Sequence, residues 1–331
     1  MAHYTRLLWR ICPHCCLVTN WNPICITGIE MRVAITGPTG SIGSDLVQTH
    51  LDAGDTVIAI VNPKSKRKNN LPKSDRLTVL ECSLGNYQDI MGRYSCDVFY
   101  HLAWSGSGPD ARNDTGIQLR NITYSLEAVE LAFSWGAERF IGAGSQAEYG
   151  KLDGPITSDT EANPITAYGI AKRSAGIKCK VACKERGMVF NWVRILSVYG
   201  RNDGRNLLVQ YVIDRLSKGE SPELSPCGQI WDLMYSKDCA EALRLIAIRG
   251  KGGKTYNVCS GDARPLKEHI LRIRDVVAPN ADIRFGAKDY YPGQTMVLSA
   301  DTEELYGDTG FRPRFSLEDG VKDMMSLGLD N

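Results

Sequence analysis

The chain has 331 residues, 43% of them hydrophobic and 23% charged, with a net charge of +1, a composition that suits a globular enzyme with one sizeable core. That balance argues against nucleic acid or an anionic membrane surface as partner, the longest basic run being Lys64 to Lys68. No stretch of about eighteen apolar residues is present to span a bilayer. The eleven cysteines are scattered through apolar segments, as at Cys179, Cys183, Cys239 and Cys259, so they read as reduced buried thiols and point to the cytosol.

Residues 1–30 lack a long apolar core and a small-residue cleavage site, which makes them a poor signal peptide. Cys12, His14, Cys15, Cys16 and Cys25 have no second paired cluster after them, so no metal site is expected. We expect an appended, disordered leader whose deletion leaves activity intact. From Met31 to Arg67 the pattern changes. Val33-Ala34-Ile35 leads into a glycine-rich turn, an amphipathic stretch with Leu46, Val47 and Leu51 follows, and a second apolar strand runs from Thr56 to Val61. This is a β-α-β unit of nucleotide-binding size. Gly37 permits the sharp turn, Gly40 lets backbone amides approach a pyrophosphate, and Gly43 lets the helix pack close to the sheet. The positive end of that helix faces the phosphates.

Alternation then continues. Strands are expected at Leu77–Leu80, Asp97–Ala103, Arg139–Ala143 and Val189–Leu196, with long helices at Gln118–Trp135 and Pro164–Arg186. Such an order implies an α/β fold, a Rossmann-type doubly wound parallel sheet with right-handed crossovers. Beyond Tyr199-Gly200 the pattern loosens into helices near Leu207–Lys218, Asp238–Ile248 and Leu266–Val276, separated by extended pieces such as Ile230–Tyr235 and Thr255–Val258. The expected organisation is a dinucleotide-binding domain over 31–200. Residues 201–331 form mainly a small α/β substrate-capping region, with some segments returning to the main sheet.

Chemistry concentrates after the fifth strand. Tyr168 and Lys172 are four apart and share a helix face. A phenol titrates near ~10 in water, and an ammonium beside it favours the phenolate, bringing it closer to neutral pH. Ser145, at the tip of the strand, can hold the same substrate oxygen, so that a hydride moves between substrate carbon and nicotinamide while Tyr168 moves the proton.

The motifs TGPTGSIG (36–43), HLAW (101–104), SQAEYG (145–150), YGIAK (168–172) and RILSVYG (194–200) occur in the order and spacing of the extended short-chain dehydrogenase/reductases, the NAD-dependent epimerase/dehydratase family. The chain resembles that family from Met31 to near its C-terminus, most closely its branch acting on nucleotide-linked sugars. The resemblance implies Ser145, Tyr168 and Lys172 as the catalytic set. It implies cofactor contacts from Gly37, Thr39, Gly40, Ser41, Ile42 and Gly43 of the turn, from Leu102 and Ala103, from Tyr168 and Lys172, and from Asn121 on the central helix. Trp104, Gln146 and Ser197 are implied on the substrate side, under a cap formed by residues after Val198.

Departures from the pattern narrow the reaction. Sugar dehydratases resemble this family with Thr-Asp-Glu where this chain has Ser145-Gln146-Ala147, so elimination of water lacks its acid and base. An acidic residue that binds the ribose hydroxyls in NAD-preferring relatives is replaced by Val61, and Asn62, Lys64, Lys66 and Arg67 follow it. Those residues suit a 2′-phosphate, which favours NADP(H) over NAD(H). Ser83 stands where an Asp often contacts the adenine, leaving Leu84 and backbone groups for that role. Trp231 occupies the place of an Arg that grips the substrate pyrophosphate, so that Arg201 or Arg205 takes over the phosphate, or Trp231 stacks on a base or sugar. We therefore expect a reductase of a nucleotide-linked 4-keto sugar. A 4-epimerase with tightly bound NAD, a reductase of a non-sugar carbonyl and a non-catalytic nucleotide-sensing protein stay as alternatives. Homodimerisation through the Gln118 and Pro164 helices is a further expectation from the resemblance.

Overall fold

The computed structural model describes residues 30–108, 111–152, 154–157, 159–291 and 293–326. The expected leader and its cysteines lie outside these residues. The elements, in chain order, are β1 (Arg32–Thr36), α1 (Ser41–Asp52), β2 (Thr56–Val61), β3 (Leu77–Glu81), β4 (Val98–His101), α2 (Thr115–Ser134), β5 (Arg139–Ser145), α3 (Ala167–Glu185) and β6 (Val189–Ile195). After these come β7 (Val198–Tyr199), α4 (Leu208–Ser217), β8 (Ile230–Asp232), β9 (Met234–Tyr235), α5 (Ser236–Arg249), β10 (Thr255–Val258), β11 (Ala263–Pro265), α6 (Leu266–Val277), β12 (Val297–Leu298), α7 (Glu303–Thr309) and α8 (Leu317–Ser326).

Seven parallel strands form the main sheet in the order β10-β6-β5-β4-β1-β2-β3. Parallel strands covered on both faces are apolar along their length, and β1 is buried from Val33 to Thr36. Successive side chains go to opposite faces. Ala34, Phe99, Phe140, Phe190 and Trp192 therefore pack under α2 and α3, against Ala128, Leu131, Ala175 and Cys179. The other face carries Val33, Ile35, Val57, Tyr100 and Ile141 against Leu46 and Val47 of α1 and Leu243 and Ile246 of α5. Register makes the first face an aromatic rung: Phe99 pairs with Phe140 and Phe140 with Phe190, the rings stacking at 5.8 and 6.5 Å.

The C-terminal half divides its loyalties. Elements α5 and β10 return to the main body, β10 as its edge strand beside β6. A small sheet of β11, β8 and β12 and a core joining Val212 and Ile213 of α4, Ile270 and Ile273 of α6, and Leu317 and Val321 of α8 make up the cap. The expected single extended piece Ile230–Tyr235 is two strands, because β8 pairs within the cap sheet whereas β9 pairs with β7. The strand order reverses between β1 and β4, and at such a switch point a crevice opens at the carboxyl ends of the strands.

Candidate active site

The crevice is a cleft of about 1010 Å³, lined from the β1–α1 turn through the ends of β4, β5 and β6 to the cap. Its floor begins at Gly37, whose φ of +71° closes the turn. A Cβ on Gly43 would lie 2.2 Å from the Gly37 carbonyl oxygen, so only glycine lets α1 start there. Gly40, by contrast, meets no protein atom closer than 3.7 Å, so its bare face serves whatever enters the cleft. No side chain caps α1, which leaves its first amides for an anion. The buried Ser41 hydroxyl beside them has no hydrogen-bond partner. These features fit the phosphates of a dinucleotide.

Ser145 ends β5 and opens a tight turn. Its hydroxyl accepts a bond from the Ala147 amide at 3.2 Å, while Glu148 Oε1 accepts one from the Ser145 amide at 2.9 Å, a reciprocal arrangement that fixes the serine backbone. Glu148 is 1% exposed and its oxygens are further held by Trp192 Nε1 and Arg194 Nε, both at 2.9 Å. Helix α3 is capped by Thr166, whose hydroxyl accepts from the Gly169 amide. This start sets Tyr168 and Lys172 on the side facing the cleft, where both join Ser145 and the turn.

The electrostatics bring a second cation, Arg112, to the expected tyrosine and lysine. Lys172 Nζ donates to the Ala143 carbonyl at 2.7 Å and lies 3.7 Å from the centroid of the Trp104 ring. Burial pulls its pKa down to about 7, against the opposing pull of Glu148. Tyr168 is raised above the ordinary phenol value, chiefly by burial, while the Ser145 hydroxyl and the Arg112 guanidinium draw it the other way. Two cations therefore face the phenol ring, Arg112 at 4.5 Å from its centroid and the expected Lys172 at 5.8 Å.

Of the cofactor-side candidates, Gly37, Thr39, Gly40, Ser41, Ile42, Gly43, Arg67, Leu102 and Ala103 line the cleft, as do Trp104, Gln146, Ser197 and Trp231 on the substrate side. Others lie elsewhere. Asn62, Lys64 and Lys66 stand off the lining, Asn62 Oδ1 accepting from the Lys64 amide, because the loop turns back after β2. Leu84 packs onto the core beneath α2. Asn121 is buried, bonding both the amide and the carbonyl of Ser105, so it fastens the β4–α2 loop. Arg201 is clamped by Asp323, and Arg205 is exposed away from the lining.

Sequence reading missed Arg112, Glu148, Asp203, Gln229 and Lys288. The Ser145-x-x-Glu148 spacing is a capping-box signature and was a usable signal. Arg112, in an irregular loop, gave none. Asp203 lines the cleft and accepts from the Gly200 amide at 3.0 Å, burial raising its carboxyl to about 6. Gln229 is 5% exposed, and its side-chain Oε1 has no partner.

The family profile described as NAD dependent epimerase/dehydratase family matches residues 33–259. The chain belongs to that family. It is accordingly an enzyme that works with a nicotinamide dinucleotide. An uncharacterized UDP-glucose epimerase of Bacillus subtilis (strain 168) is 24% identical over 309 residues, covering 88% of this chain and 96% of that relative. A dTDP-6-deoxy-L-talose 4-dehydrogenase (NAD(+)) of Aggregatibacter actinomycetemcomitans is 25% identical over 260 residues, 74% of this chain and 93% of its own length. The solved UDP-glucose 4-epimerase of Thermotoga maritima superposes with a TM-score of 0.81 at 22% identity, covering 90% of this chain and 99% of that one, a likeness of fold. Among the described residues no helix is long and apolar enough to cross a membrane.

Proposed function

We propose that this member of the family reduces the 4-keto group of a nucleotide-linked sugar, drawing on NADPH and using Tyr168 as proton donor. The observation that carries the reading is the meeting of Ser145, Tyr168 and Lys172 with the glycine turn in one cleft. Bound there, the dihydronicotinamide supplies a hydride to the carbonyl carbon. Ser145 and Tyr168 hold the carbonyl oxygen, and Tyr168 gives it a proton as negative charge develops. Lys172, fixed on the Ala143 carbonyl, supports the ring edge of the cleft next to Trp104.

Two features argue against dehydration. Gln146 and Ala147 carry no carboxylate, and both oxygens of Glu148 are engaged behind the serine. For the cofactor, β2 ends in the buried apolar Val61, and Arg67 lines the cleft at the turn, a pairing that suits a 2′-phosphate. The relative named for dehydrogenation at a sugar 4-position supports the site of reaction. The relative named as an epimerase keeps 4-epimerisation with retained NAD as the second reading. The seven described cysteines, free and buried, support a reducing cytoplasmic setting. A panel of UDP-, CDP- and dTDP-linked 4-keto sugars, each with NADPH or NADH and followed by product analysis, is the test. Net consumption of NADPH with formation of the 4-hydroxy sugar is expected; interconversion of 4-epimers without net cofactor turnover would select the second reading.

A further inference from the structure

Arg112 sits in the loop between β4 and α2, and three tethers fix it. Gln118, 1% exposed on α2, donates from Nε2 to the carbonyls of Gly106 and Ala111 at 2.8 and 3.0 Å and accepts from Trp104 Nε1. The Arg112 amide donates to the Gly108 carbonyl. Its own carbonyl accepts the Tyr168 amide at 3.0 Å, tying the loop to the first turn of α3. The side chain that results lines the cleft, with its guanidinium carbon 4.5 Å from the centroid of the Tyr168 ring.

We propose that Arg112 is a positioning residue that raises the acidity of the proton donor, its positive charge standing 4.5 Å from the centre of the Tyr168 ring. This rests on Tyr168 being the donor. When the hydride of the dihydronicotinamide adds to the carbonyl carbon, the C=O pair becomes an alkoxide. The phenolic O–H then breaks, its proton closing the alcohol and leaving a phenolate that regains a proton from solvent. A cation over an aromatic face stabilises the ring more as its negative charge grows. The charged groups acting on the phenol are Arg112 from the loop, Glu148 from the turn after β5 and Lys172 from its own helix. Glu148 opposes phenolate formation. Lys172 Nζ is 5.8 Å from the Tyr168 centroid and donates to the Ala143 carbonyl. Arg112 keeps its proton under any working condition and lies nearer the ring than Lys172, so its charge adds to that of the lysine.

The test needs no substrate. Tyrosinate absorbance is titrated in the apoprotein, and subtracting the Tyr168→Phe curve isolates Tyr168 from the other thirteen tyrosines of the fourteen. Arg112→Gln, measured against its own Tyr168→Phe double variant, is expected to move the midpoint up by about one pH unit or more, while Arg112→Glu, measured the same way, moves it up clearly further. The backbone bond to Tyr168 survives both substitutions. An unchanged midpoint in Arg112→Gln, or equal shifts in both variants, overturns the assignment. Neither result touches the proposed reaction, which instead falls if Tyr168→Phe turns over as the wild type does.

Discussion

Tyr168 is 9% exposed, and a phenol withdrawn from water holds its proton tightly enough to deliver it only when a strong base forms next to it. An alkoxide is such a base. Tyr168→Phe removes the proton without changing the packing, so turnover should fall about 10²–10⁴-fold while dinucleotide affinity, read by fluorescence titration, stays within a few-fold of the wild type. Behind Ser145, Glu148 pairs with the 17% exposed Arg194 side chain. Glu148→Ala leaves that guanidinium uncompensated in the interior and should cost about 3–5 kcal/mol in urea unfolding; a loss under ~1 kcal/mol would mean that water replaces the carboxylate. At the far end of the site, Arg67→Ala should weaken NADPH at least tenfold and NADH little. The turn glycines, Ser145, Tyr168 and Lys172 were legible because each needs a particular residue type at a particular place in a strand-turn-helix. The phosphate role sketched for Arg201 was not decidable from sequence, since its partner Asp323 lies 122 residues away and only the fold brings them together.

At the scale of elements, the sheet was readable because its strands are buried on both sides and so stay apolar throughout, as β4 does. The cap was read less well. Its strands are two or three residues long, too short for any alternation to register, and α8 presents only Leu317, Val321 and Met324 to the core around Gly320. Charge adds to that packing: Arg272 of α6 makes a two-pronged contact with Glu318 of α8, with distances of 2.6 and 2.8 Å, lowering that carboxyl from 4.5 to about 2. A depressed carboxylate stabilises the fold above its unfolded pKa, and that contribution disappears as pH falls through the folded value. The helix contact should therefore weaken between pH 4.5 and about 2. Glu318→Gln should flatten the decline of the urea midpoint across that window, and an identical decline in the variant would show that α8 does not depend on the pair.

For the whole molecule, α2 and α3 pack side by side over the sheet and leave an apolar outer surface, with Leu119 67%, Ile170 51%, Ile177 56% and Val181 53% exposed. Ile170, Ile177 and Val181 recur at seven and four residues, one face of a helix, and a stripe of this kind is a candidate for self-association. We propose a homodimer across these helices, as the resemblance suggested. Ile177→Glu should convert it to monomer in sedimentation velocity without loss of helical content; a wild type that sediments as a monomer at working concentrations would dispose of the idea.

The central claim is that the cleft carries a carbonyl reduction driven by an exchangeable cofactor, with the phenol of Tyr168 as the acid. The most direct measurement follows NADPH absorbance on mixing the protein with a nucleotide-linked 4-keto sugar, alongside its Tyr168→Phe variant. One NADPH consumed for each 4-hydroxy sugar formed, with the variant slowed by at least two orders of magnitude, is the predicted result. No NADPH loss from protein that instead keeps NAD through dialysis and interconverts 4-epimers would contradict it.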